Sequence, residues 1–171
     1  MPIHTIDQIK SAVGVGVRPN LFEVTFASGP QEDARLSVLC KGAALPGSTV
    51  GMIEIPMVGG RRYKLAGDRT FAEWTTTVIN DTDFKVRTAL ENYQRLFVTS
   101  DYTSTSVGGR QSASLTTVTV KQLDQNNSAV RTYKLQNCFI SDIATIDLSY
   151  DSTDAIEEFT VTWVYDYFTV S

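Results

Sequence analysis

His4 is the single histidine of the chain, and any Ser-His-Asp or Cys-His nucleophilic centre would have to recruit it. It sits in an N-terminal stretch of the kind that frays, so hydrolysis of that type is not expected. Gly14-Val15-Gly16 lacks the third glycine and the preceding strand of a dinucleotide-binding turn, and no Gly-Lys-Ser/Thr phosphate loop occurs. Asp147, Asp151 and Asp154 flank a turn and offer oxygens to Ca²⁺. Their spacing departs from an EF-hand loop and no helix pair flanks them, which favours a solvated acidic rim. Glu157 and Glu158 point to opposite faces of a strand, a poor arrangement for acid-base work. Cys40 and Cys138 lie among strand-like apolar residues and read as small buried hydrophobes. A disulfide is the other reading, and a two-cysteine metal site would need histidine partners. Trp163, Tyr165 and Tyr167 share one strand face and, with Trp74, could stack a sugar; a core or subunit seam is the favoured alternative. Neither catalysis nor a cofactor or metal is expected.

The elements that must position these residues belong to a chain of 171 residues, 42% hydrophobic and 20% charged. That length supports one domain, residues 1–171, with a real core, and the composition is that of a soluble globular protein. No apolar run approaches the roughly 20 residues of a membrane span. The N-terminal Met1-Pro2-Ile3-His4 stretch has no basic-then-apolar pattern, so cytoplasmic synthesis is expected. Net charge is −4, and seven of the nineteen acids fall between Asp142 and Ser171 with no Lys or Arg among them. Phosphate-gripping proteins cluster cations instead, so a tight hold on nucleic acid is not expected.

Residues 1–17 read as an N-terminal arm, in which Ile6, Ile9 and Val13 at helical spacing follow a Thr5-x-x-Gln8 capping box. Phe22, Val24 and Phe26, then Leu36, Val38 and Cys40, alternate at period two and predict a hairpin across a turn at 28–33. Residues 42–60 are punctuated by Pro46, Gly47, Gly51, Pro56, Gly59 and Gly60, yet carry Val50, Met52, Ile53 and Ile55. These predict an extended loop packed on a neighbouring subunit; an edge hairpin lying on its own sheet is the alternative. Residues 61–65 and 71–80 predict a further strand pair, with Gly67-Asp68-Arg69-Thr70 as a turn braced by an ion pair or reaching a neighbour. Asp81-Thr82-Asp83 then offers a cap for a helix over 83–97, whose apolar stripe includes Phe84, Val86, Leu90 and Tyr93. A Ser/Thr/Gly-rich surface loop is expected over 98–114. Strands follow over 115–123, 129–135, 138–140, 143–148 and 159–170. Short strands separated by turns argue a mainly β fold, a β-sandwich or barrel with one packed α-helix.

Four blocks in order resemble the tail tube proteins of T4-like contractile phages. They are Arg18-Pro19-Asn20-Leu21-Phe22, Ala44-Leu45-Pro46-Gly47, Lys64 to Asp81 with Ala66-Gly67-Asp68-Arg69 inside it, and Glu158 to Tyr167. Residues 98–137 match the pattern poorly, which leaves the sheath-facing surface unassigned. The resemblance implies a structural protein whose six copies form a ring with a continuous inner β-barrel, the rings stacking into a tube in the virion. It further implies a sheath outside, a baseplate and a tail terminator at the ends, and tape-measure protein and DNA passing through without specific binding. Val50, Met52, Ile53, Ile55 and Arg69 are the expected contacts between subunits or rings. Thr76, Thr117, Thr119, Glu158, Thr160 and Thr162 are the expected lumen lining. Rival readings are the inner tube of a bacteriocin or type VI-like injection device, and a monomeric β-sandwich glycan-binding module using the Trp163 face.

Overall fold

Val118 and Val120 on one strand, and Phe159, Val161 and Trp163 on another, alternate with half-buried threonines and mark the two centres of a single antiparallel sheet. The computed structural model describes residues 5–14, 16–27, 29–30, 33–97 and 115–171; the loop expected over 98–114 lies outside them. The elements run α1 (Ile6–Val13), β1 (Phe22–Phe26), α2 (Asp33–Leu39), β2 (Cys40–Ala43), β3 (Ser48–Pro56), β4 (Arg62–Phe71), β5 (Trp74–Ile79), α3 (Lys85–Arg95), β6 (Thr116–Leu123), β7 (Ala129–Ile143), β8 (Glu158–Val164) and β9 (Tyr167–Val170). Seven strands form one sheet in the order β1-β6-β7-β8-β5-β2, with β9 also on β7, while β3 and β4 pair only with each other.

β7 shapes the fold. Its residues 133–136 pair with β9 on one edge and its residues 139–143 pair with β8 on that same side. Between them Asn137 takes φ 58, a left-handed conformation that asparagine tolerates, and the β6–β7 register shifts beside it. The strand bends there and the sheet folds over. Phe26 of β1 and Trp163 of β8 are separated by two strands in the sheet, yet their rings meet at 5.3 Å. Val24, Val118, Val120 and Leu135 from one half share a core with Val78, Phe159, Val161 and Trp163 from the other. The fold is mainly β as expected, but β1 and β2 end the sheet without pairing to each other, so among the described residues the sheet does not close into a barrel.

The expected hairpin of residues 21–26 with 35–41 does not form. Residues 33–39 are helical, with Leu36 buried and Val38 83% exposed, so the alternation of 36, 38 and 40 is not a strand pattern. The Ser37 hydroxyl donates to the Val24 carbonyl, and α2 thereby covers the β1 edge where a strand would have paired. β1 pairs with β6 instead, and β2 with β5. Residues 144–148 form no strand, and 159–170 breaks into β8 and β9 at Tyr165-Asp166. There Asn137 Nδ2 donates to Asp166 at 2.7 Å.

The helix predicted over 83–97 is α3. It buries Val86, Ala89, Leu90 and Tyr93, and the Tyr93 hydroxyl donates to the Cys138 carbonyl at 3.1 Å. Its cap differs from expectation: Phe84 occupies the cap position at φ 51 with no side-chain bond. Asp81 takes the Val86 N–H at 3.4 Å and the Arg35 guanidinium at 3.0 Å. In α1 the capping box forms as read, Thr5 and Gln8 each accepting the other's N–H, and no residue of this helix is buried.

Thr76 holds the centre. Its hydroxyl accepts the Trp163 indole N–H at 3.1 Å, and both side chains are buried. Thr76→Val removes that acceptor and strands a buried donor, which costs about 1–3 kcal/mol. The denaturant midpoint of Thr76→Val will drop accordingly, whereas Thr77→Val, on the opposite face, will stay within about 0.5 kcal/mol of native.

Candidate functional site

The β3–β4 hairpin is where the chain departs from its own core. Its base is held firmly: Phe71 packs on Tyr165 and Phe168 at ring distances of 5.9 and 5.5 Å, and the Trp74 indole donates to the Ala44 carbonyl at 2.6 Å. Beyond the base each strand pairs only with the other. Gly51 and Gly67 meet where the register shifts, and a Cβ on Gly67 would lie 3.1 Å from the Gly51 carbonyl carbon. The turn passes through Gly59 and Gly60 at φ 89 and 79, the positive region that glycine alone adopts freely.

The register gives the hairpin two faces. Ile53 lies opposite Leu65 and Ile55 opposite Tyr63, forming an apolar face; Glu54 lies opposite Lys64 on the other. On the charged face Arg62 reaches Glu54 at 2.5 Å and Lys64 reaches it at 3.9 Å. This is the inside-outside alternation of a strand lying on a core, yet Ile53, Ile55, Tyr63 and Leu65 are all exposed. Burying each of them would contribute roughly 1.5–3 kcal/mol, and an apolar face of this kind marks an interaction surface.

Of the residues expected to make subunit contacts, Ile53 and Ile55 share the apolar face. Met52 projects with Glu54 on the other side, as does Val50 opposite Arg69. Tyr63 and Leu65 belong to the surface and were missed, although their own period-two spacing was a readable signal. Three expectations change here. Residues 42–60 are not an extended loop but carry β3, which pairs with 62–71. Residues 61–65 therefore do not pair with 71–80. Gly67-Asp68-Arg69-Thr70 is strand, not a turn. The alternative of an edge hairpin lying on its own sheet also fails, because both faces are open to solvent.

The threonine faces divide differently from expectation. Thr76 points into the core, so β5 presents Thr75 and Thr77 outward instead. Thr75 lies opposite Thr162, Thr77 opposite Thr160, and Ile79 opposite Glu158. Glu158 is ion-paired with Lys41. Thr117 and Thr119 alternate with buried Val118 and Val120 on the other half of the folded sheet. Their outer face points away from that of Thr160 and Thr162, so the two sets cannot line one surface of a single chain. The Thr117 face also carries Lys121, paired with Glu23 at 2.8 Å, and Lys134 beside Thr119.

The glycan platform does not exist: Trp163 and Tyr165 are buried, and Tyr167 belongs to β9. Asp147, Asp151 and Asp154 are exposed, and among the described residues no group of three His, Cys, Asp or Glu converges as a metal site. Cys40 and Cys138 are buried free thiols rather than a disulfide. Burial pushes Cys40 up to about 11 and Cys138 up to about 12. Burial likewise raises Tyr93 to about 12. Among the described residues no helix is long and apolar enough to cross a membrane.

Comparison with known proteins agrees with this geometry. The family model of the phage tail tube protein matches residues 11–171. The tail tube protein gp19 of Enterobacteria phage T4 is 28% identical over 165 residues, covering 95% of this chain and 98% of the phage protein. The tail tube protein of Serratia phage KSP90 is 26% identical over 168 residues, covering 91% of both chains. In fold, the chain is similar to a subunit of the sheath-tube complex of an extracellular contractile injection system, PVC, in its extended state, with a TM-score of 0.69, 13% identity and 99% of each chain covered. A chain of the tube terminating cap of the anti-feeding prophage superposes with a TM-score of 0.67, 12% identity and coverage of 91% and 90%.

The thiols give a test of the closed core. A raised thiol value means that the folded chain keeps protons that the unfolded chain releases. Stability from Cys40 and Cys138 is therefore complete below the ordinary thiol value and declines as pH rises from there toward about 11 to 12. Unfolding midpoints measured along an alkaline pH series will fall across that window. At mildly alkaline pH a thiol reagent will titrate neither cysteine until denaturant is added.

Proposed function

The chain belongs to the phage tail tube protein family, and on that premise we propose that six copies form a ring whose sheets join into a continuous inner β-barrel, the rings stacking into the inner tube of a contractile tail. One observation carries the reading: a hairpin with an ordered apolar face that the chain's own core never covers. A second copy supplies the missing cover. The outer edges of β2 and β9 pair with no other strand among the described residues, and joining them through neighbours removes two exposed edges.

The lumen is best assigned to the face of β5 and β8. Thr75, Thr77, Thr160 and Thr162 dominate it, and its acid Glu158 is already neutralised by Lys41. Such a wall offers no cationic clamp to phosphate, and at cellular salt its residual field decays within about 8–10 Å. It acts as a smooth lining past which DNA and the tape-measure protein move without being held. The opposite sheet half, with Lys121 and Lys134, turns outward in this arrangement. Sheath outside, and baseplate and terminator at the ends, complete the reading. The same fold serves extracellular injection devices, but the relatives matched in sequence are phage tail proteins, which favours the tail over a bacteriocin or type VI-like device.

Electron microscopy of the purified native chain at high concentration will show rings or tubes with a central bore; a chain that stays monomeric under all conditions contradicts the reading. Ile53→Asp with Ile55→Asp will abolish assembly while the monomer melts within about 0.5 kcal/mol of native, because both side chains are already exposed. Thr160→Lys with Thr162→Lys will leave tubes intact and slow genome delivery. Unchanged delivery would remove the β5–β8 face from the lumen.

A further inference from the structure

The hairpin and a second exposed apolar surface leave the folded sheet at opposite ends. β2 leads into the hairpin and β5 continues from it, starting at Trp74. The segment 144–157 connects β7 to β8 at the other end, where Asn80 binds Glu157 through its backbone N–H at 2.9 Å and its side chain at 2.8 Å. β5 separates the two by its length, roughly 20 Å at about 3.4 Å per residue.

This second surface is apolar and acidic together. Leu148, Tyr150 and Ile156 are exposed, and the segment encloses a concavity of about 390 Å³ lined in part by Ile146, Leu148 and Ile156. Asp147 lines it together with Glu157 and Glu158, Asp151 and Asp154 are exposed elsewhere in the same segment, and among the described residues none of these three aspartates has a basic partner. The distal half of the hairpin has the complementary character. Ile55, Met57, Val58 and Tyr63 are exposed there, and Arg61, Arg62 and Lys64 outnumber the one acid, Glu54. Arg61 has no acidic partner among the described residues, and Lys64 has only the loose 3.9 Å pair.

We propose that the distal half of the hairpin docks into the 145–157 segment of a second copy, with Ile55, Met57, Val58 and Tyr63 meeting Leu148, Tyr150 and Ile156, and Arg61, which shares the strand parity of Tyr63, meeting Asp147 and Asp151. The contact rests on the reading of the chain as a tube subunit and names the surface that receives the hairpin. Donor and receiver are different patches, so the contact is heterologous. Because they lie at opposite ends of β5, it joins copies head to tail.

Charge exchange tests it. One variant carries Asp147→Lys with Asp151→Lys, and the other Arg61→Glu. Each alone juxtaposes like charges, and its assembled fraction, read by sedimentation and electron microscopy, falls by about tenfold or more. Native circular dichroism and melting show that both remain folded. Mixed in equal amounts they assemble again, because the hairpin of each variant finds the opposite charge on the segment of the other. Assembly of either variant at native levels overturns the contact. So does an equimolar mixture of folded variants that stays apart, which would leave the acidic segment to a partner other than this chain. A native chain that never assembles fails the tube reading itself, and with it the ground for this contact.

Discussion

The indole of Trp163 lies against Phe26 from one half of the folded sheet, Trp74 from the neighbouring strand and Tyr93 from α3, and its only donor goes to Thr76. Those four partners come from three separate elements, β1, β5 and α3, so the ring fixes how far the two halves stand apart and where the helix sits. Around it the demands of burial and hydrogen bonding are met inside one molecule. Asn80 Oδ1 is the buried side-chain atom left without a partner among the described residues. Tyr93 binds the Cys138 carbonyl, Ser37 binds Val24, and Arg87 lies over the Phe159 ring at 5.2 Å.

That completeness makes the periphery informative. A chain able to satisfy its interior this well still leaves an ordered apolar strand face, an amphipathic α1 with no buried residue, and an apolar, acidic connection in water. Exposed apolar residues scattered singly are ordinary on a protein surface. Here they follow strand and helix periods on elements that need no partner from their own domain. The core determines the shape of the chain, and in the proposed assembly the uncovered periods are where copies meet.

Much of this was legible in the residues, and the failures share a cause. The α3 stripe and the β6 and β8 alternations read correctly because long amphipathic segments carry their own phase. Leu36, Val38 and Cys40 misled because three apolar residues at alternate positions also fit one helical turn followed by a strand, and only the β1 edge decides between them. Thr76 was placed outside because Thr75-Thr76-Thr77 has no internal contrast; its phase is set by Trp74 and Val78, which are buried two residues to either side. In the hairpin, glycine and proline punctuation masked a regular ladder, since a bulge at Gly51 and Gly67 lets a strand continue past residues that usually end one. The β-sheet order itself was out of reach, because pairing β1 with β6 and β5 with β8 links residues far apart in the chain.

The placement of hairpin and acidic segment at opposite ends of β5 bears on how long such an assembly grows. In the proposed head-to-tail contact each copy added uses one unsatisfied end and presents an identical new one, so the energy of every step is the same and no copy number is preferred. A single subunit thus carries no information about when to stop. In that arrangement length must come from an external ruler, and the first layer, which lacks a layer to dock on, is the slow one.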